Sequence, residues 1–278
     1  MKYFAFIGVF FFSVTVIAVE STRELAIAQQ SYAVGNFKYA RATAQELNTA
    51  DGYALACQTG LVIGGLQEIG SAAVTSLQGA LADCRKALDL DPTHYSAGLS
   101  HAIATGFEGL RLRKTAYAQA SKREIEALIR RYPDNAFAVG AAAGWHAAVA
   151  REGLFARLLL GAGRGKAGSL YAQAILLPNA ELPLHFEYSR FLAAGNKQDK
   201  ANALRILKDI LAKPPQNALE KILLEKCLQI QTALRSGDKK SISQALAAAT
   251  PFGGIDAWGS VKKTGIKGFP LQAAAGAP

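Results

Sequence analysis

The sequence predicts an all-α fold, a right-handed α-solenoid of about five to six antiparallel helix hairpins, and three observations support this prediction. Of the 278 residues, 53 are Ala and 33 are Leu, and both residue types favour helices. Apolar residues recur at helical spacing from Glu20 to Ala249, and no segment of strand length alternates convincingly between apolar and polar residues. Turn-forming residues interrupt this pattern repeatedly, which predicts about a dozen helices.

The predicted helix breaks all contain residues that turn the chain or stop a helix. They lie at residues 35–36, 51–52, 91–92, 132–135, 178–179, 195–196, 214–215 and 236–238. Because helices joined by short turns pack as antiparallel neighbours, consecutive helices are expected to form hairpins.

The first residues have the pattern of an export signal. A short basic start precedes an uncharged apolar run, residues 3–19. Residues 1–18 are therefore predicted to be a signal peptide that is cut after Ala18. The run is also just long enough to span a bilayer as an uncleaved anchor. Both alternatives place the bulk of the chain outside the cytoplasm, periplasmic or exported, and no other integral membrane segment is expected.

The three cysteines exclude a disulfide-dense miniprotein. Cys57 and Cys84 lie almost equally far from a predicted turn near residue 70, so they would stand at similar height in one hairpin. Two alternatives remain for this pair, a disulfide and two small core residues. Cys227 is expected to be a free, buried thiol.

An internal repeat appears when the residues before alternate breaks are aligned. A small residue is followed by a larger residue four positions on, a third apolar residue three further on, and a helix stop five after that. The members are Ala80, Cys84, Ala87 and Pro92; Ser121, Ile125, Leu128 and Pro133; Ala203, Leu207, Ile210 and Pro215; Ala167, Tyr171, Ala174 and Asn179; and Ala40, Ala44, Leu47 and Gly52. A stripe of small residues lets the second helix of a hairpin approach the first, and the stop residue ends it.

These positions resemble the second helices of the tetratricopeptide repeat (TPR) family, in which Ala, an aromatic residue four positions on and a terminal Pro recur. The stretch from Ala80 to Pro92 is similar to the end of such a helix, and Gly35 to Ala40 is similar to the family's hairpin turn. The resemblance covers roughly residues 21–249 and implies a degenerate TPR-like protein of an exported bacterial type.

The predicted TPR-like helical repeat domain extends over residues 19–250. Residues 251–278 are rich in Gly and Pro and are expected to form an extended or disordered tail. The alternative is that this segment folds back on the last hairpin through its aromatic residues Phe252, Trp258 and Phe269.

Two sequence features resemble chemical motifs but lack the context that such motifs require. Gly163 to Gly168 spell G-x-G-x-x-G, but a dinucleotide-binding loop requires a preceding strand and a parallel sheet. The four histidines are too scattered for a metal site, so neither a cofactor nor a metal is predicted. We interpret the glycine-rich stretch as a flexible basic insertion in which Arg157, Arg164 and Lys166 attract an anion.

The candidate binding site surrounds Trp145 and His146. They lie in a run of Gly and Ala, residues 140–148, where a helix with few other side chains would leave a hollow beside the indole for a ligand side chain. The alternative is that the following insertion fills the hollow. On the next first helix, His185, Tyr188 and Arg190 are expected to face the same concave side.

The net charge of +10 predicts attraction to an anionic surface. Basic clusters between residues 111 and 131 alternate with acidic residues, which favours solvated helix faces over a nucleic-acid site. The expected partners are a protein or peptide and an anionic surface of the cell envelope, without nucleic acid.

We therefore expect a noncatalytic protein-interaction or adaptor module that binds a peptide, a protein or a small ligand in its concave groove. One alternative is a ligand-binding accessory of an envelope transporter. A second alternative is an enzyme that uses His146 or His185 as an acid-base group.

Overall fold

The computed structural model describes residues 23–271, so the predicted signal peptide or anchor at residues 1–19 lies outside the described residues. All regular structure between residues 23 and 271 is helical, as the sequence predicts. Besides a π-helical turn at Ile63–Gln67, this part of the chain contains fifteen helices: α1 Arg23–Ala33, α2 Phe37–Glu46, α3 Ala50–Val62, α4 Gly70–Leu90, α5 Tyr95–Leu112, α6 Thr115–Arg131, α7 Ala136–Val149, α8 Leu154–Leu160, α9 Arg164–Ala174, α10 Leu182–Ala193, α11 Lys197–Leu211, α12 Ala218–Ser236, α13 Lys239–Ala248, α14 Ile255–Trp258 and α15 Val261–Thr264.

Most of the helices pack in pairs with the next helix along the chain, and α7 packs with α9 because the short α8 between them contributes little contact. The pairs are α1 with α2, α3 with α4, α5 with α6, α7 with α9, α10 with α11, and α12 with α13. The first members of successive pairs also contact one another, from α3 through α5, α7 and α10 to α12. Helix α1 contacts both α3 and α12, so the first pair of helices neighbours the last. A Cβ atom added to Gly35 would lie 3.0 Å from the Cβ of Ala218, at the start of α12.

The first and second helices of the pairs differ in how much of their surface they bury. Helices α3 and α7 consist largely of uncharged small and apolar residues and are buried on nearly all sides. Helices α6 and α11 carry charged residues on one face and bury only the other. This division follows from their sequences, because a helix without a polar face must be surrounded by other helices.

The small-residue stripe predicted from the repeat is buried. Its first positions are fully buried in five helices: Ala40, Ala80, Ser121, Ala167 and Ala203. The residues four positions on, Ala44, Cys84, Ile125, Tyr171 and Leu207, are at most 2% exposed. The stripe therefore forms the contact surface of the second helices.

The break predicted at Asp51 and Gly52 is wrong. Both residues lie in the first turn of α3, which begins after Thr49, and the Thr49 side chain accepts a hydrogen bond from the Gly52 N–H at 3.1 Å. A Thr at this position caps a helix by satisfying a free N–H group. The break between α5 and α6 was missed, because it is made by Arg113 in the left-handed conformation, φ 53°, and Arg is not a typical turn residue.

Cys57 in α3 and Cys84 in α4 are joined by a disulfide, with their Cα atoms 5.1 Å apart. The bridge fixes the two helices of the second pair to each other near their middles. Cys227 in α12 is a buried free thiol, and burial raises its pKa to about 12. It therefore stays protonated at neutral pH.

The Gly- and Pro-rich segment differs from the expected free tail over residues 251–271. The segment contains the short helices α14 and α15. It packs against α5 and α4 instead of the last hairpin. The ring of Phe252 packs against the ring of Phe107 in α5, with the ring centres 4.9 Å apart. The main-chain N–H of Phe252 donates to the carbonyl of Gly65 at 3.1 Å. Residues 265–271 belong to no helix, yet they too are held against helices, as described below.

We predict that enlarging the small-residue stripe destabilises the fold. Ala203 is fully buried in α11, so Ala203→Leu must displace neighbouring side chains and should lower the free energy of unfolding by about 1–3 kcal/mol. Ala201, two residues earlier, is exposed, so Ala201→Leu should change it by less than about 0.5 kcal/mol. Urea unfolding of both variants measures the difference, and equal stabilities would contradict the assignment of the stripe as a packing surface.

Candidate functional site

Two buried ion pairs share one spacing. Glu108 pairs with Arg111 in α5, and Glu187 pairs with Arg190 in α10, so both have the pattern Glu-x-x-Arg. None of the four side chains is more than 3% exposed. Burying two charges costs free energy unless every donor and acceptor finds a partner. Arg111 finds its further partners in the C-terminal segment, and Arg190 finds one at Thr250, just before that segment.

The guanidinium of Arg111 uses all five of its N–H groups. Its Nε and one Nη2 hydrogen donate to the carboxylate of Glu108, at 2.7 and 2.6 Å. Its other three hydrogens donate to main-chain carbonyls of Gly259, Ile266 and Lys267, at 2.9, 3.1 and 3.1 Å. Because an arginine has no further donors, this pair is complete only while the C-terminal segment is in place.

The carboxylate of Glu108 also binds the main chain of the segment. Its Oε1 accepts a hydrogen bond from the N–H of Phe269 at 2.8 Å and another from the side-chain amide of Gln78 in α4 at 2.8 Å. The same amide donates to the carbonyl of Lys267 at 2.9 Å. Glu108 thus binds an N–H group of residues 265–271 directly. It also holds the guanidinium of Arg111, which binds carbonyl groups of the same segment.

Side chains of α4 and α6 bind the rest of the non-helical segment, residues 265–271. Arg85 in α4 donates to the carbonyl of Pro270 at 2.7 Å, and its guanidinium lies 4.4 Å from the centre of the Phe269 ring. Tyr117 in α6 donates its hydroxyl hydrogen to the carbonyl of Phe269 at 2.7 Å. Contact of a guanidinium with an aromatic face is attractive and adds selectivity for an aromatic side chain at this position.

The segment lies close to the helices at Gly268. A Cβ atom added there would lie 2.7 Å from Cδ1 of Leu112 and 3.3 Å from the hydroxyl oxygen of Tyr117. A larger residue at this position therefore requires a shift of the Leu112 side chain or of the segment itself. We name the surface formed by Gln78, Arg85, Glu108, Arg111 and Tyr117 the segment-binding surface, since it binds main-chain groups, one aromatic ring and one glycine.

The second ion pair holds the start of the C-terminal segment. Arg190 donates to the hydroxyl of Thr250 at 2.7 Å, and that hydroxyl donates to the carbonyl of Leu246 at 2.7 Å. Burial raises the pKa of Glu187, and the neighbouring Arg190 opposes this rise. Within residues 23–271, the buried Nε of Arg190 and the buried hydroxyl of Tyr171 have no hydrogen-bond partner.

Trp145 and His146 lie inside the fold and do not line an open hollow. Trp145 is 1% exposed, its indole N–H donates to the carbonyl of Ala118 in α6 at 2.9 Å, and Lys122 lies over its ring. His146 is 3% exposed, and within residues 23–271 its Nδ1 has no hydrogen-bond partner. Burial, with added repulsion from Lys166 and Lys122, lowers the pKa of His146 to about 4, so the ring is neutral at neutral pH.

The three candidate residues of α10 face in different directions. His185 is half-buried near Lys213, and burial lowers its pKa. Tyr188 stacks on Tyr171 of α9 with ring centres 5.5 Å apart. Arg190 points instead toward the C-terminal segment. The structure therefore does not bring these residues together with Trp145 and His146 on one open surface.

The three basic residues of the insertion have different environments. Arg157 is exposed on α8. Arg164 begins α9, pairs with Asp199 at 3.0 Å and lies 4.2 Å from the centre of the Phe191 ring. Lys166 is exposed in the first turn of α9. The stretch predicted to be a flexible basic insertion is thus partly helical. Within residues 23–271, Arg164 forms an ion pair with a carboxylate, whereas Arg157 and Lys166 do not.

Within residues 23–271, no group of three His, Cys, Asp or Glu side chains is arranged to hold a metal ion. None of the helices in this range combines the length and the apolar composition that crossing a bilayer requires. No protein-family model matches the chain, and no curated protein matches it.

The segment-binding surface was missed at the level of sequence. The only local signal is the repeated pattern Glu-x-x-Arg in two first helices, Glu108 to Arg111 and Glu187 to Arg190, where charged residues interrupt otherwise apolar helices. Charges in a helix that must be surrounded on all sides are a sign of a buried polar contact. The partner of Arg111 lies about 150 positions away in the chain, and no pattern of spacing connects the two.

We predict that His146 makes the fold sensitive to acid. Its pKa is lower in the folded chain than its ordinary value of 6.5, so the unfolded chain takes up the proton first as the pH falls. Stability present above pH 6.5 is therefore lost as the pH falls from about 6.5 to about 4, by about 1–3 kcal/mol.

The variant His146→Gln removes this titration, so its unfolding free energy should fall less between pH 7 and about pH 4.5 than that of the parent chain. Urea unfolding of both proteins at both pH values measures how much unfolding free energy each protein loses. The contributions of all other titrating groups are the same in the two proteins and cancel when the two losses are subtracted. Parallel losses in the two proteins would contradict the burial of an uncharged His146.

Proposed function

We propose that the protein is a noncatalytic adaptor that binds a non-helical peptide segment on the segment-binding surface. The observation that carries this proposal is the binding of residues 265–271, which belong to no helix, through six hydrogen bonds between the five side chains of this surface and main-chain groups of the segment. Extended peptides are recognised by the same means, main-chain hydrogen bonds for affinity and a few side-chain contacts for selectivity.

The peptide that fits this surface has Gly, an aromatic residue and Pro in succession. Gly268 is favoured where a Cβ would meet the Leu112 side chain, and the aromatic ring rests on Arg85. Pro270 offers its carbonyl to Arg85 and needs no N–H partner. In the chain itself, residues 268–270 supply this pattern, so the protein's own segment occupies the site that we assign to the partner.

We also propose that the helix pairs form a TPR-like right-handed solenoid. The buried small-residue stripes in α2, α4, α6, α9 and α11 support this arrangement, because they set the close approach of paired helices that the repeat requires. In this proposal the contact between α1 and α12 brings the two ends of the array together.

We propose, further, that the protein is exported to the periplasm or beyond. The disulfide between Cys57 and Cys84 supports this location, because disulfides persist in oxidising compartments and are rare in the cytosol. An anionic surface of the cell envelope remains a second expected partner of the basic chain.

Two observations favour other functions. The perturbed pKa of the buried His146 is typical of acid-base groups in enzymes. A base whose pKa is about 4 is, however, a weak acceptor of protons at neutral pH, and this lowers its value for catalysis. The unpartnered Tyr171 hydroxyl and Arg190 Nε, within residues 23–271, favour a small polar ligand of the kind that a transporter accessory binds. In neither case does a group that resembles a ligand occupy the site. The segment-binding surface, in contrast, is occupied by residues 265–271.

The proposal is tested with a labelled peptide that has the sequence of residues 265–271. In the full-length chain the attached segment competes with this peptide at an effective concentration of about 1 mM. We expect the variant Gly268→Val to loosen the attached segment, because the new side chain meets Leu112 and the Tyr117 hydroxyl. We expect the peptide to bind at least tenfold more tightly to this variant than to the parent chain, as measured by fluorescence anisotropy.

Matched controls identify the surface. Adding Arg85→Ala to the Gly268→Val variant should weaken peptide binding at least tenfold, while adding Lys86→Ala should not, because Lys86 lies over Tyr53 instead. A peptide with Val in place of its second Gly should fail to bind. Equal binding to the parent chain and to Gly268→Val would contradict the proposal.

A further inference from the structure

Helix α8 presents an apolar face to solvent. Leu154, Phe155, Leu158 and Leu159 are 68%, 79%, 75% and 53% exposed. Residues at positions i, i+1, i+4 and i+5 of a helix cover one continuous arc, so the four side chains form a single patch. A helix on a protein surface normally turns its apolar side inward, and α8 does the reverse.

The remaining side of α8 attaches the helix to the fold. Leu160 is buried, and Ala156 is half-buried on the same side. The ammonium group of Lys122 in α6 donates to the Leu160 carbonyl at 3.2 Å, where the helix ends. The exposed patch is thus fixed in position and points away from the rest of the molecule.

Basic side chains lie on α8 and beside its C-terminal end. Arg157 lies on α8 itself and is exposed, and Lys166 is exposed five residues beyond Gly161, where the helix ends. Lys122 adds a positive charge at the end of the helix and also pairs with Glu126 at 3.9 Å, and Glu152 is the acidic residue that precedes α8. The whole chain has a net charge of +10. An apolar face bordered by basic residues matches the interface of a bilayer that contains anionic lipids.

We propose that α8 docks the protein on an anionic lipid bilayer, with Leu154, Phe155, Leu158 and Leu159 inserted among the lipids and Arg157 and Lys166 at the headgroups. The helix is only about 10 Å long, whereas a stable protein–protein interface buries about 1,200–2,000 Å². A patch of four side chains is too small for such an interface. It is large enough for an interfacial helix that inserts one face about 5–10 Å into the membrane surface.

The test places a fluorescent reporter in the patch of the full chain. The variant Phe155→Trp puts an indole on the face that we expect to insert, and Leu176→Trp puts one at an exposed position at the other end of α9. The vesicles consist of phosphatidylglycerol and phosphatidylcholine in equal parts, or of phosphatidylcholine alone. Because both variants retain residues 3–19, any binding through those residues is common to them.

We expect the emission of Phe155→Trp to shift to shorter wavelength with anionic vesicles, and the shift to be much smaller with phosphatidylcholine alone. Emission of Leu176→Trp should not shift. Adding Leu154→Gln and Leu158→Gln to Phe155→Trp should raise the lipid concentration needed for half of the shift at least tenfold, with an unchanged circular dichroism spectrum.

Three results would overturn the proposal. They are an unchanged emission of Phe155→Trp with anionic vesicles, an equal shift with both vesicle types, and a shift that depends on protein concentration in the absence of vesicles. The last result would instead assign the patch to contact between two copies of the chain.

Discussion

The buried pair of Glu108 and Arg111 is the interaction on which the arrangement of the molecule depends. A guanidinium and a carboxylate without exposure to water must have partners for all their donors and acceptors, because an unpaired buried charge costs several kcal/mol. Helix α5 supplies the two charges, and residues 259–269 supply the carbonyl and N–H groups that complete them. The buried pair therefore needs either the C-terminal segment or a peptide that supplies the same carbonyl and N–H groups.

The same constraint links distant parts of the chain. The segment begins at Thr250, which Arg190 of α10 holds, and continues past Phe252, which packs against α5 and the π-helical turn. It ends on α4 and α6 through Arg85 and Tyr117. One stretch of about twenty residues thus connects helices of the second, third and fifth pairs. A surface that binds main-chain groups of this segment has the chemistry to bind a separate peptide, and this links the stability of the fold to its proposed function.

Local pattern predicted much of the fold and little of the site. The small-residue stripes and most helix breaks follow from periodicity and from Gly and Pro, which act within a few residues of where they stand. The site depends on contacts between α5 and residues about 150 positions later, and helical spacing contains no information about them. The run of small residues around Trp145 predicted a hollow beside the indole, but Trp145 is buried, its indole N–H donates to α6, and α8 turns its apolar side chains outward. Which neighbour packs against a thin helix is decided by the tertiary arrangement.

The exchange rate of a single amide hydrogen tests most directly whether the buried pair holds the C-terminal segment in place. In this structure the Phe269 N–H donates to the buried carboxylate of Glu108, although residues 265–271 belong to no helix. Nuclear magnetic resonance of the full chain should find this hydrogen exchanging with solvent at least ten times more slowly than in a free peptide of residues 265–271. Exchange at the rate of the free peptide would contradict the claim that the buried Glu108 and Arg111 pair holds the C-terminal segment in place.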